Sequence, residues 1–443
     1  MRRAVGLLAI VAIMLLSFGG YGVGEVFPAA TGTLSFGFLL LASYIFGDGL
    51  SRIGLPKITG YILAGILFGP HLLGFVSTDT VLELKLIDDL ALTFIAFAAG
   101  GELRIAELRS RKKCILYTVI IQSVIVFGGV AAFVVTGSGL FPFLDGRPMA
   151  HVLAVAALLG TFSLARSPSS AIAIISECKA RGPFTEMVLG VTVVMDVAVI
   201  IVFAIIVSLS QSAVVPGSSF DVSLLGLMSL EIVGALVAGI ALGALVVQYI
   251  KRIRADLAIF ILGVAFLVTF FAKESGHLVA ETFGVHMQFE PMLICMAAGF
   301  VVQNYSKEGR IFLEKIDHSS LPVYVIFFAL AGAALNIMAL QNTWLVALII
   351  VGLRGMFITL GGYLGARAAK DPVKFQVFSG PSFITQAGVS LGLAGIVMSR
   401  FPEWGTQLAT LIVAVIAINQ VIGPAGMKFA LHRVGEASGS KAA

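Results

Sequence analysis

The stretch Phe184–Ser210 reads FTEMVLGVTVVMDVAVIIVFAIIVSLS, and past its first turn it carries one charged side chain, Asp196. A segment needs roughly 20 mostly apolar residues to cross the hydrocarbon core of a bilayer. This one has the length and the composition, so it predicts a transmembrane helix with a carboxylate near its middle. A charge at that depth costs about 2.5–3.5 kcal/mol on insertion scales, and such residues mark ion pathways and proton relays.

The same apolar pattern recurs along the chain. Fourteen stretches stand out, at 4–20, 32–48, 57–73, 87–103, 114–136, 150–175, 184–210, 225–249, 256–272, 285–303, 318–338, 343–365, 378–398 and 405–431. Of the 443 residues, 58% are hydrophobic and 12% charged, more apolar surface than one soluble core can hide. Lipid can solvate it. Short polar connections join the stretches, with no long linker or low-complexity tract. The expectation is an all-α integral membrane protein with one membrane domain over 32–431 and a short tail over 432–443. Arg2 and Arg3, then Ala4–Ser17 and a glycine-rich run, mark 1–30 as a signal peptide or an extra N-terminal span. About thirteen transmembrane helices follow it.

The net charge of +5 is a matter of topology. If the span at 32–48 starts outside and the loops alternate, twenty-one Lys and Arg residues fall on one side and four on the other. The richer side includes Arg109–Lys113, Lys251, Arg252 and the tail; the poorer side holds Lys85, Arg147, Lys273 and Arg400. Basic residues collect in cytoplasmic loops. The chain is therefore expected in the cell membrane, multi-pass, with a cytoplasmic C-terminus and no nucleic-acid partner.

A repeat runs through the apolar pattern. Ile95–Ile105 (IAFAAGGELRI) aligns with Phe327–Ile337 (FFALAGAALNI), and the Ala64-Gly65 pair of Gly60–Pro70 aligns with Ala298-Gly299. The spans involved run in opposite senses by the loop count, so the repeat is inverted. Secondary transporters built this way hold their substrate near the midplane between the repeats.

Three ionisable residues lie too deep for their side chains to reach the interface. Asp196 can alternate between holding a proton and holding a metal cation. Arg354, in Ile349–Leu360 (IIVGLRGMFITL), stays charged. Its expected task is to neutralise a carboxylate or the negative C-terminal ends of broken helices. Arg166 lies in Thr161–Ser170 (TFSLARSPSS), where Pro168 removes a backbone donor and breaks the helix. Broken helices at membrane depth are tolerated where they line a cavity. There the hydroxyls of Ser167 and Ser169 can serve an ion. Ser379–Leu391 (SGPSFITQAGVSL) is the matching break in the second half, with Gln386 and Gly388. Asp48, Asp88, Asp89, Glu102, Glu231 and Glu290 lie near span ends and are read as interfacial. Cys114, Cys178 and Cys295 have no metal-ligand spacing and read as apolar fillers. Hydrolase, metalloprotease and phosphate-loop motifs are absent, which points away from an enzyme, and no cofactor is expected.

Taken in order, Gly54–Pro70 (GLPKITGYILAGILFGP), Phe94–Leu108, Thr161–Ile175, Gly182–Ile201, Pro322–Ile337, Arg354, Thr385–Gly388 (TQAG) and Gly423-Pro424 resemble the monovalent cation:proton antiporter superfamily, close to its Kef-like, sodium-proton exchanger branch. The resemblance covers roughly residues 32–431. It implies thirteen spans, two crossed discontinuous helices at 150–175 and 378–398, a homodimer, and alternating access by an elevator-like movement. It also implies that Asp196 binds the transported monovalent cation and couples it to protons, and that Arg354 is the basic residue on the partner helix. Two positions depart from the family. Met195 precedes Asp196 where members often have Asp or Asn, and Arg166-Ser167 stands where many have Thr-Asp.

The function expected is exchange of sodium or potassium for protons. One rival is channel-like or anion-linked permeation, favoured if Arg166 faces the pathway unpaired. A rival of another class is a non-transporting sensor or scaffold, in which Asp196 and Arg166 neutralise each other. The topology has its own check. Cysteines placed within Arg109–Lys113 or in the tail are expected to resist a membrane-impermeant reagent applied to intact cells; labelling from outside would overturn the orientation and the inverted repeat together.

Overall fold

The apolar stretches from residue 32 onward form helix, with interruptions inside 150–175 and 378–398, in the computed structural model, which describes residues 28–214, 222–253, 257–283, 289–335, 337–386 and 389–437. The segment 1–30, read as a signal peptide or extra span, lies almost wholly outside the described residues, as does Gly388. The first half runs α1 (Pro28–Arg52), α2 (Lys57–Phe68), α3 (Thr78–Glu83), α4 (Lys85–Glu102), α5 (Ile105–Thr136), α6 (Met149–Leu164), α7 (Pro168–Cys178) and α8 (Pro183–Val214). There follow α9 (Val222–Arg252), α10 (Leu257–Phe283), α11 (Pro291–Tyr305), α12 (Gly309–Ala333) and α13 (Ile337–Ala368). The chain closes with α14 (Val373–Phe378), a 3₁₀ turn at Gly380–Phe383, α15 (Val389–Arg400) and α16 (Gly405–Val434).

Seven spans among the described residues are long and apolar enough to cross a membrane by length and composition, the α6–α7 pair counting as one. The apolar parts of α2, α10, α11 and α12 are shorter. The shortness has local causes. Gly69-Pro70 ends α2, because a residue before proline is pushed out of the helical region. Pro291 opens α11 at a position where its missing N–H leaves no donor unused.

The helices sort into two bundles by what they pack against. In the first, α1, α2, α4, α9, α10, α11 and α12 surround the α4–α11 and α2–α12 crossings. In the second, α5, α6, α8, α13, α15 and α16 pack together around the broken segments. The seam between the bundles has fewer contacts, chiefly α8 on α9, α16 on α2, and α4 on α7.

The repeat becomes visible in the first bundle. A Cβ on Gly100 would overlap the carbonyl oxygen of Met296 on α11, and one on Gly299 would overlap that of Phe97 on α4. A Cβ on Gly65 would likewise overlap the Ala329 carbonyl on α12, and one on Gly332 that of Ile62 on α2. These are the four glycines of the sequence repeat. The α2–α12 and α4–α11 crossings therefore use matched glycine pairs at which backbone meets backbone, the small-residue packing usual inside membranes.

Two polar devices fix the cytoplasm-assigned ends. Glu177 on α7 accepts the Lys57 backbone N–H at 2.9 Å and the Lys428 ammonium at 3.0 Å, and Lys428 donates to the Leu55 carbonyl at 3.1 Å. The ion pair thus grips the start of α2 across the seam. After α16 the chain turns at Gly435, and Glu436 returns to the start of the Asp196 helix. Its carboxylate accepts the Phe184 N–H at 2.8 Å and the Thr185 N–H at 2.7 Å. An anion belongs there, because the N-terminal N–H groups of a helix lack partners and carry partial positive charge.

The glycine crossings can be tested by melting. Gly100→Ala is expected to destabilise the purified protein by about 1–3 kcal/mol through overpacking. Gly263→Ala, where an added Cβ meets nothing within 4 Å, is expected to melt at or above the wild-type temperature. Equal melting of the two variants would rule out direct backbone contact at the α4–α11 crossing.

Candidate ion site at the crossing of two broken helices

The first break follows from its residues. α6 ends at Leu164, Ala165 is extended at φ −60°, ψ 142°, and Pro168 opens α7 at its first position. Ser167 is the N-cap: its Oγ accepts the Ser170 N–H at 3.2 Å and lies 2.8 Å from the Ser170 hydroxyl and 3.2 Å from that of Ser169. The three hydroxyls form one buried cluster. The second break is an irregular stretch between the 3₁₀ turn at Gly380–Phe383 and α15, with Ile384, Thr385 and Gln386 outside any helix.

A helix that stops inside the protein leaves its last carbonyls without intrahelical partners. Arg354, fully buried on α13, takes up three of them. Its Nε donates to the Ser163 carbonyl at 3.0 Å, one terminal nitrogen to Ala165 at 2.7 Å, and the other to Ile384 at 2.8 Å. One planar guanidinium therefore joins the two breaks, placing positive charge on the negative ends of the interrupted helices. Gln386 ties the breaks a second time, donating to the Phe162 carbonyl at 2.8 Å while its own oxygen accepts from Asn419 on α16 at 3.1 Å. All three of these Arg354 bonds go to backbone carbonyls at the breaks and none to a carboxylate.

Arg166 is also fully buried. One terminal nitrogen donates to Gln122 Oε1 on α5 at 3.1 Å, the other makes only 3.5 Å contacts to the Ser163 and Ala165 carbonyls, and Nε has no partner. Its guanidinium carbon lies 5.8 Å from the centre of the Phe383 ring, a cation–π distance. It makes no ion pair with Asp196.

Asp196 is 8% exposed at the middle of α8. Its carboxylate has no hydrogen bond or ion pair among the described residues. Met195 beside it packs toward α5, its sulfur 3.5 Å from the Ser123 hydroxyl. Glu290, read from the sequence as interfacial, is the exposed N-cap residue of α11. Among the described residues no group of three or more His, Cys, Asp or Glu is placed to hold a resident metal. The three cysteines are buried and unbridged.

The structure thus brings Arg354, Arg166, Gln386, Pro168 and the serines to one crossing, with Asp196 on the helix packed against it. Sequence reading missed Gln122 and Asn419. Both are uncharged amides deep in apolar spans, and search by charge passes over them; an amide surrounded by aliphatic residues at membrane depth was the available signal.

The family model described as sodium/hydrogen exchanger, transmembrane, matches residues 36–432. The chain belongs to that family. It is a secondary transporter of the cation:proton exchange type rather than an enzyme. Similar proteins include the Na(+)/H(+)-K(+) antiporter GerN of Bacillus cereus, 23% identical over 403 residues, covering 88% of this chain and 94% of that one. The probable Na(+)/H(+) antiporter GerT of the same organism is 22% identical over 367 residues, covering 80% and 88%. In fold the exchanger resembles the sodium proton antiporter MjNhaP1 from Methanocaldococcus jannaschii. The structure at pH 8 gives a TM-score of 0.65 at 19% identity, covering 92% of this chain and all of that one. An electron-microscopy structure of the same antiporter gives 0.69 at 18% identity.

Arg354 supplies a test of the crossing. Lysine keeps the charge but cannot fork toward three carbonyls, and bonds to charged groups contribute about 1.5–3 kcal/mol each. Arg354→Lys is expected to cost roughly 3 kcal/mol or more in melting and to lose exchange. Arg367→Lys, at an exposed position of the same helix, is expected to change neither.

Proposed function

We propose that the exchanger carries sodium or potassium against protons, with Asp196 as the shared binding group for cation and proton. The observation that carries this reading is the division of charge around the crossing. Arg354 is fully occupied by backbone carbonyls, and Arg166 is turned toward Gln122, so neither cation claims the Asp196 carboxylate. An ionised carboxylate buried without a partner is costly. Binding either a proton or a monovalent cation removes that cost, and only one can do so at a time. Competition for one site is what couples the two flows.

Ser167 and Ser169 join the proposal as hydroxyl oxygens at the break, and Pro168, Gln386 and Gly388 as the residues that keep the helices interrupted. A homodimer, a C-terminus in the cytoplasm, and access alternating by movement of the broken-helix bundle along the sparse seam belong to the same reading. The division into two bundles supports the last of these. The sensor or scaffold reading loses ground, because the mutual neutralisation of Asp196 and Arg166 that it requires is not formed. Met195 leaves a single carboxylate at this point of α8, so one proton is expected to exchange for one monovalent cation with no net current.

The test uses purified protein in liposomes with an internal pH dye and a panel of monovalent cations. Asp196→Asn is expected to fold and to reduce sodium- or potassium-driven proton movement at least a hundredfold, to background. Substantial exchange in that variant would remove Asp196 from the mechanism, and a steady transport current from the wild type would contradict the one-for-one exchange.

A further inference from the structure

Gln122 is fully buried on α5 and uses both ends of its amide. Its Nε2 donates to the Ile358 carbonyl on α13 at 2.9 Å, and its Oε1 accepts from Arg166 at 3.1 Å. Its stem is fixed by contact with glycine, since a Cβ on Gly361 would meet the Gln122 Cα and Cγ at 2.8 and 2.7 Å. The amide is therefore aimed, and what it holds is the guanidinium of Arg166.

Among the described residues that bond is the one well-formed side-chain hydrogen bond Arg166 makes. Its contacts to the Ser163 and Ala165 carbonyls are at 3.5 Å, and Nε is buried with no partner. The carbonyls it would otherwise use are already taken by Arg354. Ser123, next to Gln122, lies 3.5 Å from the sulfur of Met195, next to Asp196. The anchor of Arg166 and the Asp196 carboxylate thus lie at one level on adjoining helices, and α5, α6 and α8 pack on one another. An under-bonded buried cation and an under-bonded buried anion lie on segments that pack together, in a medium where attraction between opposite charges is weakly screened.

We infer that Gln122 is a positioning residue that holds Arg166 off Asp196 and so keeps the carboxylate available to the transported cation. The inference rests on the reading of Asp196 as the ion site. Without the Gln122 amide, Arg166 keeps two weak carbonyl contacts and the face of the Phe383 ring, and Asp196 becomes its strongest available acceptor. A cation must then displace an internal competitor, and apparent affinity falls in proportion to the fraction of carriers with Asp196 free. If one carrier in ten remains free, the loss is about tenfold.

The decisive experiment is a two-residue cycle read as the sodium KM and maximal rate of exchange in liposomes, with sodium-dependent thermal stabilisation of the detergent-purified protein as a second readout. Gln122→Met keeps the bulk against Gly361 and removes both hydrogen bonds. It is expected to raise the sodium KM by about tenfold or more, with a smaller change in maximal rate, and to weaken stabilisation by sodium in parallel. In an Arg166→Thr background the same substitution is expected to leave KM unchanged, because the competitor is gone. Gln122→Glu, which offers Arg166 a stronger acceptor, is expected to keep KM at or below the wild-type value. Should Gln122→Met not fold, Gln122→Asn carries the test, since its shorter amide cannot span Ile358 and Arg166. An unchanged KM in a folded variant, or an equal rise with and without Arg166, overturns the role of Gln122. Asp196→Asn in the same assay separates the two levels: if it still exchanges, the reading of the ion site itself has failed.

Discussion

The guanidinium of Arg354 is the group on which the rest of this architecture depends. Interrupting two helices inside an apolar protein exposes carbonyl oxygens that neither lipid nor the helix itself can satisfy. A single planar cation with donors on several edges is among the few side chains able to meet carbonyls from two chain segments at once. Its three bonds, to Ser163, Ala165 and Ile384, turn two separate interruptions into one crossing. Gln386 and Asn419 then close the polar network from the other side.

Charge is apportioned with matching economy. Of the two arginines at the crossing, one answers backbone and the other answers an amide, and neither pairs with the carboxylate on the neighbouring helix. Arg166-Ser167 stands where many family members carry Thr-Asp, and on the inference drawn above Gln122 is what makes Arg166 compatible with a cation site. The two differences from the family pattern, Arg166-Ser167 and Met195, meet in space through the Gln122-Ser123 pair.

The spans were legible because bilayer thickness dictates their length and composition, whatever their neighbours. The breaks were legible because Pro168 and the Gly380-Pro381 pair act locally. The repeat was legible in Gly65, Gly100, Gly299 and Gly332 as an alignment, but its reason, backbone seated on backbone, requires knowing which helices cross. What the sequence could not supply was partner choice. Arg166 and Asp196 are opposite charges at like depth, and pairing them is the natural guess; the rotation of α5 and α13 about their axes instead presents Gln122 to the guanidinium. Search by charge likewise passed over the amides.

The paired glycine crossings have a mechanical consequence. Where Gly65 and Gly332 seat α2 on α12, and Gly100 and Gly299 seat α4 on α11, backbone meets backbone, with no soft layer to compress and no rotamer to change. Force applied to one of these helices passes rigidly to the other, and the first bundle behaves as a stiff frame within the fluid bilayer. Deformation has to collect where contacts are sparse and broken by polar clasps, along α2, α7 and α16. There the Glu177–Lys428 pair can act as a detent, a small catch that resists sliding until both ends of its grip on residues 55–57 let go.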